Sequence, residues 1–361
     1  MHADAQFTGA LVIDLDALAR NFRKVRGIAA PAECAAVVKA NAYGLGLAPI
    51  AKRLLREGCR RFFVATLAEG QELRALTPDA AIYVFEGVLD GQAGKLLEAS
   101  LTPVLNSLEQ VARWAGQAGS RAAILHIDTG ISRLGMAAKE VDALALDHAL
   151  LQRLQIEYVL THFACADEPD HGLNRAQLRR FDALRGRLPP APTSIANSAA
   201  IFIDADHRGD LVRPGIALYG GNPFSDRDNP MERVVTLKAR ILQIREVDEG
   251  LTVGYGATYG VGPPARLAVL GVGYADGYPR ALSNLGVASV GGRRVPVVGR
   301  VSMDLICVDV SALPASEVRT GDWVELFGAD VTLDEVAEAA GTISYEILTG
   351  LGPRLHREYL G

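Results

Sequence analysis

Short apolar runs recur along the first 220 residues of the chain, and most of them are followed by small or polar residues. Runs of this length that are rich in Val, Ile, Phe and Ala are typical of buried strands. Segments with helical spacing lie between them, as in Pro49–Glu57, where Ile50, Leu54 and Leu55 share one face. The predicted strands are Ala36–Lys39, Phe62–Ala65, Ile82–Phe85, Thr102–Leu105, Ala122–Ile127, Glu157–His162, Thr193–Ala196 and Val212–Leu218.

The alternation of these eight strands with helices predicts an α/β fold, a parallel (β/α)8 TIM-like barrel. Two more segments, Ala68–Leu76 and Ser107–Gln117, have helical character, and Asn106 or Ser107 can cap the second. The competing fold is an open, doubly wound sheet. No G-x-G-x-x-G sequence follows the first predicted strand to favour it.

The pattern changes after Gly220, where the turn-rich segment Asn222–Pro230 precedes short runs rich in Val and Gly. Val287–Val290 and Val295–Val298 flank a Gly-Gly pair, which predicts a hairpin. Further predicted elements are a strand over Asp322–Phe327 and a helix over Leu333–Ala340, capped by Thr332 with Glu335 three residues later. We therefore expect an N-terminal barrel over residues 1–225 and a mostly β C-terminal domain over residues 231–361.

Composition narrows the class of protein. With 361 residues, 49% of them hydrophobic, the chain can form a large barrel and a smaller domain. Its net charge of −5 argues against a nucleic-acid-binding protein. No apolar run approaches the roughly 18 residues of a membrane span, and the first residues lack the features of a secretory signal. The four scattered cysteines suit a reduced cytoplasmic protein better than a disulfide framework or a zinc site.

Candidate chemistry gathers where the predicted strands end, which is the side of a barrel that carries active sites. Lys39 closes strand one, Arg133 follows strand five and His162 closes strand six. Asn197 and Ser198 follow strand seven, and Arg213 and Gly215 belong to strand eight. The common location of these residues predicts a single site.

Each of these residues also has a purely structural interpretation. Lys39, at the end of an apolar strand, is either a desolvated amine able to form a Schiff base or a side chain that extends into water. Ser198 and Gly215 fit a phosphate site after strands seven and eight, whereas Ala196–Ala200 also fits a helix N-cap. His162 can be a core histidine, and Arg213 can form a structural ion pair.

The segment Val37-Val-Lys-Ala-Asn-Ala-Tyr-Gly-Leu-Gly46 is similar to the pyridoxal-phosphate lysine segment of alanine racemases. It is the most specific of several blocks that resemble this family. The other blocks, in the same order and spacing as in that family, are Ile127–Met136, Thr161–Glu168, Ala196–Ala199, Val212–Gly220, Val272–Gly277, Val298–Asp304 and Ser344–Gly350.

The resemblance implies an isomerase that interconverts L-alanine and D-alanine with pyridoxal 5′-phosphate, for cell-wall synthesis or for D-alanine breakdown. Lys39 would bind the cofactor as a Schiff base and act as one base. Tyr274 of the partner subunit would be the second base. The resemblance therefore implies a homodimer with shared active sites, in which strand Ala10–Leu15 pairs with the β domain.

The resemblance also assigns binding roles. Arg133 would contact the cofactor phenolate and the substrate carboxylate, which the backbone of Met303 of the partner subunit would also bind. Asp167 and Arg300 would line the access channel. The cofactor phosphate would lie among Tyr43, Ser198, Gly215, Ile216 and Tyr345, with Asn197 and His162 beside the ring and Arg213 at the pyridine nitrogen.

Two positions carry further expectations. Arg213 can only donate a hydrogen bond to the ring nitrogen, so that nitrogen stays unprotonated and unwanted transamination is suppressed. Family members often have a carbamylated lysine two residues before the Asp-Thr-Gly sequence, where this chain has His126. We expect Arg133 to be oriented instead by the imidazole, by water or by an anion such as chloride.

Three alternative functions fit less well. A decarboxylase of the same architecture would need an acidic group at the ring nitrogen, which Arg213 argues against. A racemase of broader specificity is closer in chemistry, but such enzymes usually have export signals and disulfides. A protein that only stores pyridoxal phosphate would lack the β domain with Tyr274 and Met303.

Overall fold

The computed structural model describes residues 6–117 and 121–361. The first residues, which lack the features of a secretory signal, include residues 1–5, and these five lie outside the described residues. Seven parallel strands follow one another in chain order around a curled sheet. Buried Val, Ile, Leu and Phe side chains fill the space inside this sheet and beneath its helices. The strands are Ala36–Val37, Arg61–Val64, Ala81–Val84, Thr102–Leu105, Arg121–His126, Leu154–Leu160 and Thr193–Ser194.

An eighth strand, Leu211–Val212, closes the barrel. It pairs in parallel with Glu33–Cys34, which immediately precedes the first barrel strand. The amide of Val37 donates to the carbonyl of Pro214 at 2.9 Å, and on the other side the amide of Arg213 donates to Ala196 at 3.0 Å. The predicted (β/α)8 barrel is therefore confirmed.

Four predicted strands extend at least two residues beyond the observed ends. Those predicted to end at His162 and Ala196 end at Leu160 and Ser194. The strand predicted over Val212–Leu218 ends at Val212, and Ile216–Tyr219 forms a 3-10 helix. Pro214 has no amide hydrogen to continue the ladder, and the backbone turns at Gly215. The strand predicted to end at Lys39 already ends at Val37.

The helices of the barrel cover the outside of the sheet. Those predicted from periodicity, Leu47–Arg56, Leu67–Leu76 and Leu108–Ala115, lie within two residues of their expected bounds. Ser107, and not Asn106, caps the last of them by accepting from the Gln110 amide at 3.2 Å. The other helices of the barrel are Leu15–Ala29, Ala93–Glu98, Ala138–Leu146, His148–Leu151 and Gly172–Arg185, with a left-handed turn at Lys39–Tyr43 and a 3-10 turn at Ala200–Phe202.

The C-terminal part is mostly β. The predicted hairpin is present as Val287–Val290 and Arg293–Pro296, and helix Leu333–Ala339 begins at the expected capping box of Thr332 and Glu335. Its other elements are strands Val235–Val247, Leu251–Val253, Tyr259–Val261, Ala265–Leu270, Ile306–Asp309, Trp323–Phe327 and His356–Leu360, helix Ser344–Thr349 and short 3-10 turns at Tyr255–Ala257, Tyr274–Asp276, Arg280–Leu282 and Ala315–Glu317.

The opening strand, Gly9–Asp14, belongs to this β part. It pairs antiparallel with Val235–Val247 and parallel with the last strand, His356–Leu360. From that last strand, the Tyr359 hydroxyl donates to the carbonyl of Leu45 at 2.8 Å. The β part is thereby attached directly to the loop that follows Lys39.

The described residues contain neither a candidate membrane span nor a candidate metal cluster. None of their helices combines the length and apolarity that crossing a membrane requires. Likewise, among residues 6–117 and 121–361, no three His, Cys, Asp or Glu side chains are grouped so that they could bind a metal ion.

Candidate active site

A cavity of about 480 Å³ opens at the carboxyl ends of the barrel strands. This volume falls within the usual range for small-molecule sites. Ile216 is fully buried and does not line the cavity. Nine of the residues singled out from the sequence line the cavity together: Lys39, Tyr43, Arg133, His162, Asn197, Ser198, Arg213, Gly215 and Tyr345.

A left-handed turn presents Lys39 to the cavity. Residues 40–43 all have φ between 52° and 56°, a conformation that costs L-residues on the order of 1–2 kcal/mol each. Surrounding hydrogen bonds enforce it: the Ala40 amide donates to Glu69 Oε1, and Asn41 Oδ1 accepts from the Leu47 amide, each at 2.7 Å. The strained turn brings Lys39 and Tyr43 to the same cavity. Sequence patterns did not predict this turn.

The environment of Lys39 favours a neutral amine. Burial lowers the pKa of Lys39, the nearby positive charge of Arg133 lowers it further, and Glu69 partly opposes both effects. The Nζ atom lies 5.9 Å from the centre of the Phe85 ring. A neutral amine is a nucleophile toward aldehydes and an acceptor for protons.

The strand-seven and strand-eight loops form a cradle of hydrogen-bond donors. Ser198 Oγ accepts from the amides of Gly215, at 2.8 Å, and Ala217, at 3.3 Å. Burial raises the pKa of Tyr43, so its hydroxyl stays a donor. Asn197 Oδ1 accepts from the Ala200 amide at 3.0 Å, where the short 3-10 turn Ala200–Phe202 begins. These groups suit an anion with several oxygen atoms.

Glycine at position 215 is required by the close approach of Tyr43. A Cβ atom added there would lie 2.1 Å from the Tyr43 hydroxyl oxygen. We predict that Gly215→Ala weakens phosphate-ester binding about tenfold or more and destabilises the fold by about 1–3 kcal/mol. Titration with pyridoxal phosphate and thermal unfolding measure both effects. Gly94→Ala is the control, because nothing lies within 4 Å of its added Cβ, and unchanged phosphate binding in Gly215→Ala would contradict the prediction.

Arg213 is buried, and its Nη1 and Nη2 atoms donate to the surrounding strands. Nη1 donates to Ser194 Oγ at 2.7 Å, and Nη2 donates to the Thr161 carbonyl at 2.8 Å. Nη2 also lies 3.3 Å from Nδ1 of His162. Burial lowers the pKa of Arg213, but these hydrogen bonds stabilise the cation. His162 is kept neutral, because burial first and then Arg213 lower its pKa.

We expected the His126 imidazole, water or an anion to orient Arg133, and the structure matches this only in part. His126 lines the cavity, but its Nε2 has no hydrogen-bond partner among the described residues, so the imidazole forms no hydrogen bond with Arg133 here. Within the described residues, no carboxylate or other group forms a hydrogen bond or an ion pair with the Arg133 side chain. Sequence reasoning missed Asn106 here, whose Oδ1 lies 2.7 Å from Nδ1 of His126.

Tyr274 and Met303 do not line this cavity. Both belong to the β part and are strongly exposed, at 42% and 53% of their surface. The backbone pairs their two loops, because the amides of Tyr274 and Ala275 donate to the carbonyls of Ser302 and Met303, each at 3.0 Å. Asp167 and Arg300, predicted to line an access channel, are also absent from the cavity wall.

Two family models match the chain in succession. The alanine racemase N-terminal domain matches residues 13–223, and the alanine racemase C-terminal domain matches residues 234–359. The alanine racemase of Rhodospirillum rubrum is 48% identical over 98% of this chain and 96% of its own. The catabolic alanine racemase of Agrobacterium fabrum is 46% identical over 98% of this chain and 92% of its own.

Solved structures agree with these matches. Alanine racemase from Bartonella henselae, with covalently bound pyridoxal phosphate, gives a TM-score of 0.93 at 39% identity, covering 98% of this chain and 99% of that one. Biosynthetic alanine racemase from Pseudomonas aeruginosa gives 0.93 at 36% identity, covering 99% and 100%. Fold and sequence together place this protein among the barrel-plus-β isomerases. The chain belongs to the alanine racemase family.

Proposed function

We propose that this protein interconverts L-alanine and D-alanine with pyridoxal 5′-phosphate as cofactor. The observation that carries the proposal is the cavity itself, which combines the desolvated amine of Lys39, the buried cation Arg213 and the Ser198–Gly215 cradle. Family membership over nearly the whole chain supports the same activity.

The residues of the cavity fit the cofactor. Lys39 has the nucleophilic amine for its aldehyde, and the cradle of Ser198, Gly215 and Tyr43 has the donors for its phosphate. Ile216 and Tyr345 complete the cradle in our proposal, and Asn197 and His162 lie beside the ring. When bound, pyridoxal phosphate supplies the electron sink that acidifies the Cα proton of an amino acid.

Racemisation requires a proton to leave one face of Cα and another to arrive at the opposite face. We assign one proton transfer to the Lys39 amine and the other to the phenol of Tyr274 of the partner subunit. General acid–base catalysis of this kind contributes about 10²–10⁴-fold. The exposure of Tyr274 outside its own chain's cavity supports donation to a second subunit.

Two groups position the substrate carboxylate in this proposal. Arg133 supplies a cationic guanidinium at the cavity wall. The backbone amide of Met303 of the partner subunit is the second donor. Among the described residues, no acceptor engages the Met303 amide, whereas the Met303 carbonyl accepts from the Ala275 amide. Arg213 limits the electron sink, because a guanidinium donates a hydrogen bond and gives up no proton.

We further propose a homodimer located in the cytoplasm, in which D-alanine is made for the cell wall or broken down. The exposed side chains Tyr274, Met303 and Leu305 supply apolar surface for an interface. In this dimer, residues 1–225 bind the cofactor and residues 231–361 complete the site of the partner subunit.

Arg354 connects the two loops that would serve that partner. Its guanidinium donates to both oxygens of Asp276, at 2.8 and 2.9 Å, and to Asp304 at 2.8 Å. Asp276 ends the turn that carries Tyr274, and Asp304 follows Met303. We predict that Arg354→Leu lowers kcat/KM for alanine about 10–100-fold, because both groups lose their fixed positions. Steady-state kinetics test this prediction, with Arg354→Lys expected to lie between the parent and Arg354→Leu. Equal kcat/KM values in the parent, Arg354→Lys and Arg354→Leu would contradict it.

A direct assay tests the proposed function. The purified protein is mixed with pyridoxal phosphate and L-alanine, and D-alanine is measured by chiral chromatography. We expect both enantiomers to reach equal concentrations, and the same end point when the reaction starts from D-alanine. An absorbing cofactor complex that leaves L-alanine unchanged would overturn the proposal in favour of cofactor storage.

A further inference from the structure

His126 belongs to a hydrogen-bonded chain of buried side chains behind the cavity. Its Nδ1 lies 2.7 Å from Asn106 Oδ1. Asn106 Nδ2 donates to the carbonyls of Phe85 and Val104, each at 2.9 Å, and the Asn106 amide donates to Gln110 Oε1 at 2.9 Å. His126 and Asn106 are both buried.

This chain fixes the position of the imidazole proton. Because two carbonyl acceptors engage Nδ2 of Asn106, its Oδ1 must face His126 and act as an acceptor. Nδ1 of His126 must therefore carry the hydrogen, and Nε2 is left with an unprotonated lone pair. Burial first, and then the charges of Arg213 and Arg133, lower the pKa of His126 to about 3, against a weaker opposing effect of Asp128.

The Nε2 atom is a buried acceptor without a donor among the described residues. Arg133 lines the same cavity, and its guanidinium has no acceptor within the described part of the chain. Two other groups that face the cavity are engaged elsewhere: Arg213 donates to Ser194 and Thr161, and Nδ1 of His162 faces Arg213. The unmatched donor and the unmatched acceptor are complementary.

We propose that His126 is a positioning residue for Arg133, with its Nε2 lone pair accepting a hydrogen bond from the guanidinium in the cofactor-loaded enzyme. Asn106 acts through His126, because it dictates which nitrogen is the acceptor. The inference rests on the proposed function, in which Arg133 binds the substrate carboxylate. It narrows the possible partners of Arg133 to the uncharged imidazole.

The charge of this partner has a chemical consequence. A carboxylate or carbamate beside Arg133 would neutralise part of the guanidinium's charge, whereas a neutral imidazole orients the guanidinium without reducing it. The full positive charge then remains available to the substrate carboxylate. His126 therefore affects the binding of carboxylates more than the proton transfers at Cα.

Nitrogen NMR of the holoenzyme tests the geometry independently of turnover. The protein is labelled with ¹⁵N-histidine, and the His126 signals are assigned by their loss in His126→Gln. We expect Nδ1 to be protonated, Nε2 to be unprotonated and hydrogen-bonded, and neither to titrate between about pH 5.5 and 9. In Arg133→Ala, the Nε2 signal should shift to that of a free lone pair.

Two NMR outcomes would overturn the proposal. The first is a protonated Nε2. The second is an Nε2 signal that is the same in Arg133→Ala as in the parent. If that unchanged signal does change in His162→Phe, the donor to Nε2 is His162. Since these signals do not depend on racemase activity, they separate this inference from the proposed function.

Kinetics supply the second test. We expect His126→Leu to raise KM for alanine, and the inhibition constant of propionate, about tenfold, with a smaller change in kcat. His126→Leu combined with Asn106→Leu removes both polar partners and so controls for a destabilised Asn106. His126→Gln restores an acceptor and should recover part of the loss, and exposed His148→Leu serves as the surface control. Equal KM values for alanine in the parent, in His126→Leu and in the His126→Leu, Asn106→Leu double variant would overturn the proposal.

Discussion

Lys39→Ala is expected to abolish racemisation, lowering kcat by at least about 10⁴-fold. The variant loses both the amine that binds the cofactor aldehyde and one of the two proton carriers. Burial and Arg133 lower the pKa of Lys39, so below the usual pKa of lysine a larger fraction of this amine is neutral and reactive. Borohydride reduction of the parent, followed by peptide mass spectrometry, should locate the reduced pyridoxyl group on Lys39.

Lys139→Ala is the matched control, because Lys139 lies exposed on the helix Ala138–Leu146. It should retain parental activity and the same reduced adduct at Lys39. An adduct on any other amine of the parent would contradict the assignment of Lys39. So would a Lys39→Ala protein that racemises alanine at an undiminished rate.

Tyr274→Phe is expected to lower kcat about 10²–10⁴-fold, since only the phenolic oxygen is lost. If the phenol serves the partner subunit, Tyr274→Phe and Lys39→Ala subunits complement each other. Random reassociation of equal amounts makes about half of the dimers mixed, and each mixed dimer has one intact site. Activity should therefore return to about one quarter of the parental value after mixing, measured by D-alanine formation.

The control for complementation is the chain that carries both substitutions. Mixed in equal amounts with the parent, it forms hybrid dimers in which neither site has both groups, so activity should fall to about one quarter of the parental value, below the one half that dilution alone gives. If mixing the two single variants restored nothing, although mass spectrometry detected hybrid dimers, the two groups would not be shared between subunits.

The sequence was sufficient to predict the barrel because its strands are continuous apolar runs with no competing pattern. Thr102–Leu105 was predicted to the residue, and helix Leu333–Ala339 began where the Thr332–Glu335 pair indicated. The predicted end of strand eight was wrong. Ala217 and Leu218 are buried as they would be in a strand, but Pro214 interrupts the hydrogen-bond ladder before them. Apolar periodicity reports burial, and here burial continued beyond the strand.

The candidate site was predictable where chemistry depends on residue type. Lys39, Arg213 and Ser198 stand out because amines, guanidinium groups and hydroxyls have few roles at strand ends. The left-handed turn after Lys39 was not predictable, because contacts from Glu69 and Leu47 impose it on residues of which only Asn41 favours that conformation. Asn106 was missed for a similar reason: its partner His126 lies on a neighbouring strand.

The position of the opening strand has a consequence for biosynthesis. On the ribosome, Gly9–Asp14 emerges early, but its two neighbours, Val235–Val247 and His356–Leu360, emerge only near the end of translation. Until then both of its edges offer unpaired amide and carbonyl groups to other nascent chains. In a protein truncated before residue 235, both edges of this strand would stay unpaired. We expect such a protein to accumulate in aggregates or to be degraded.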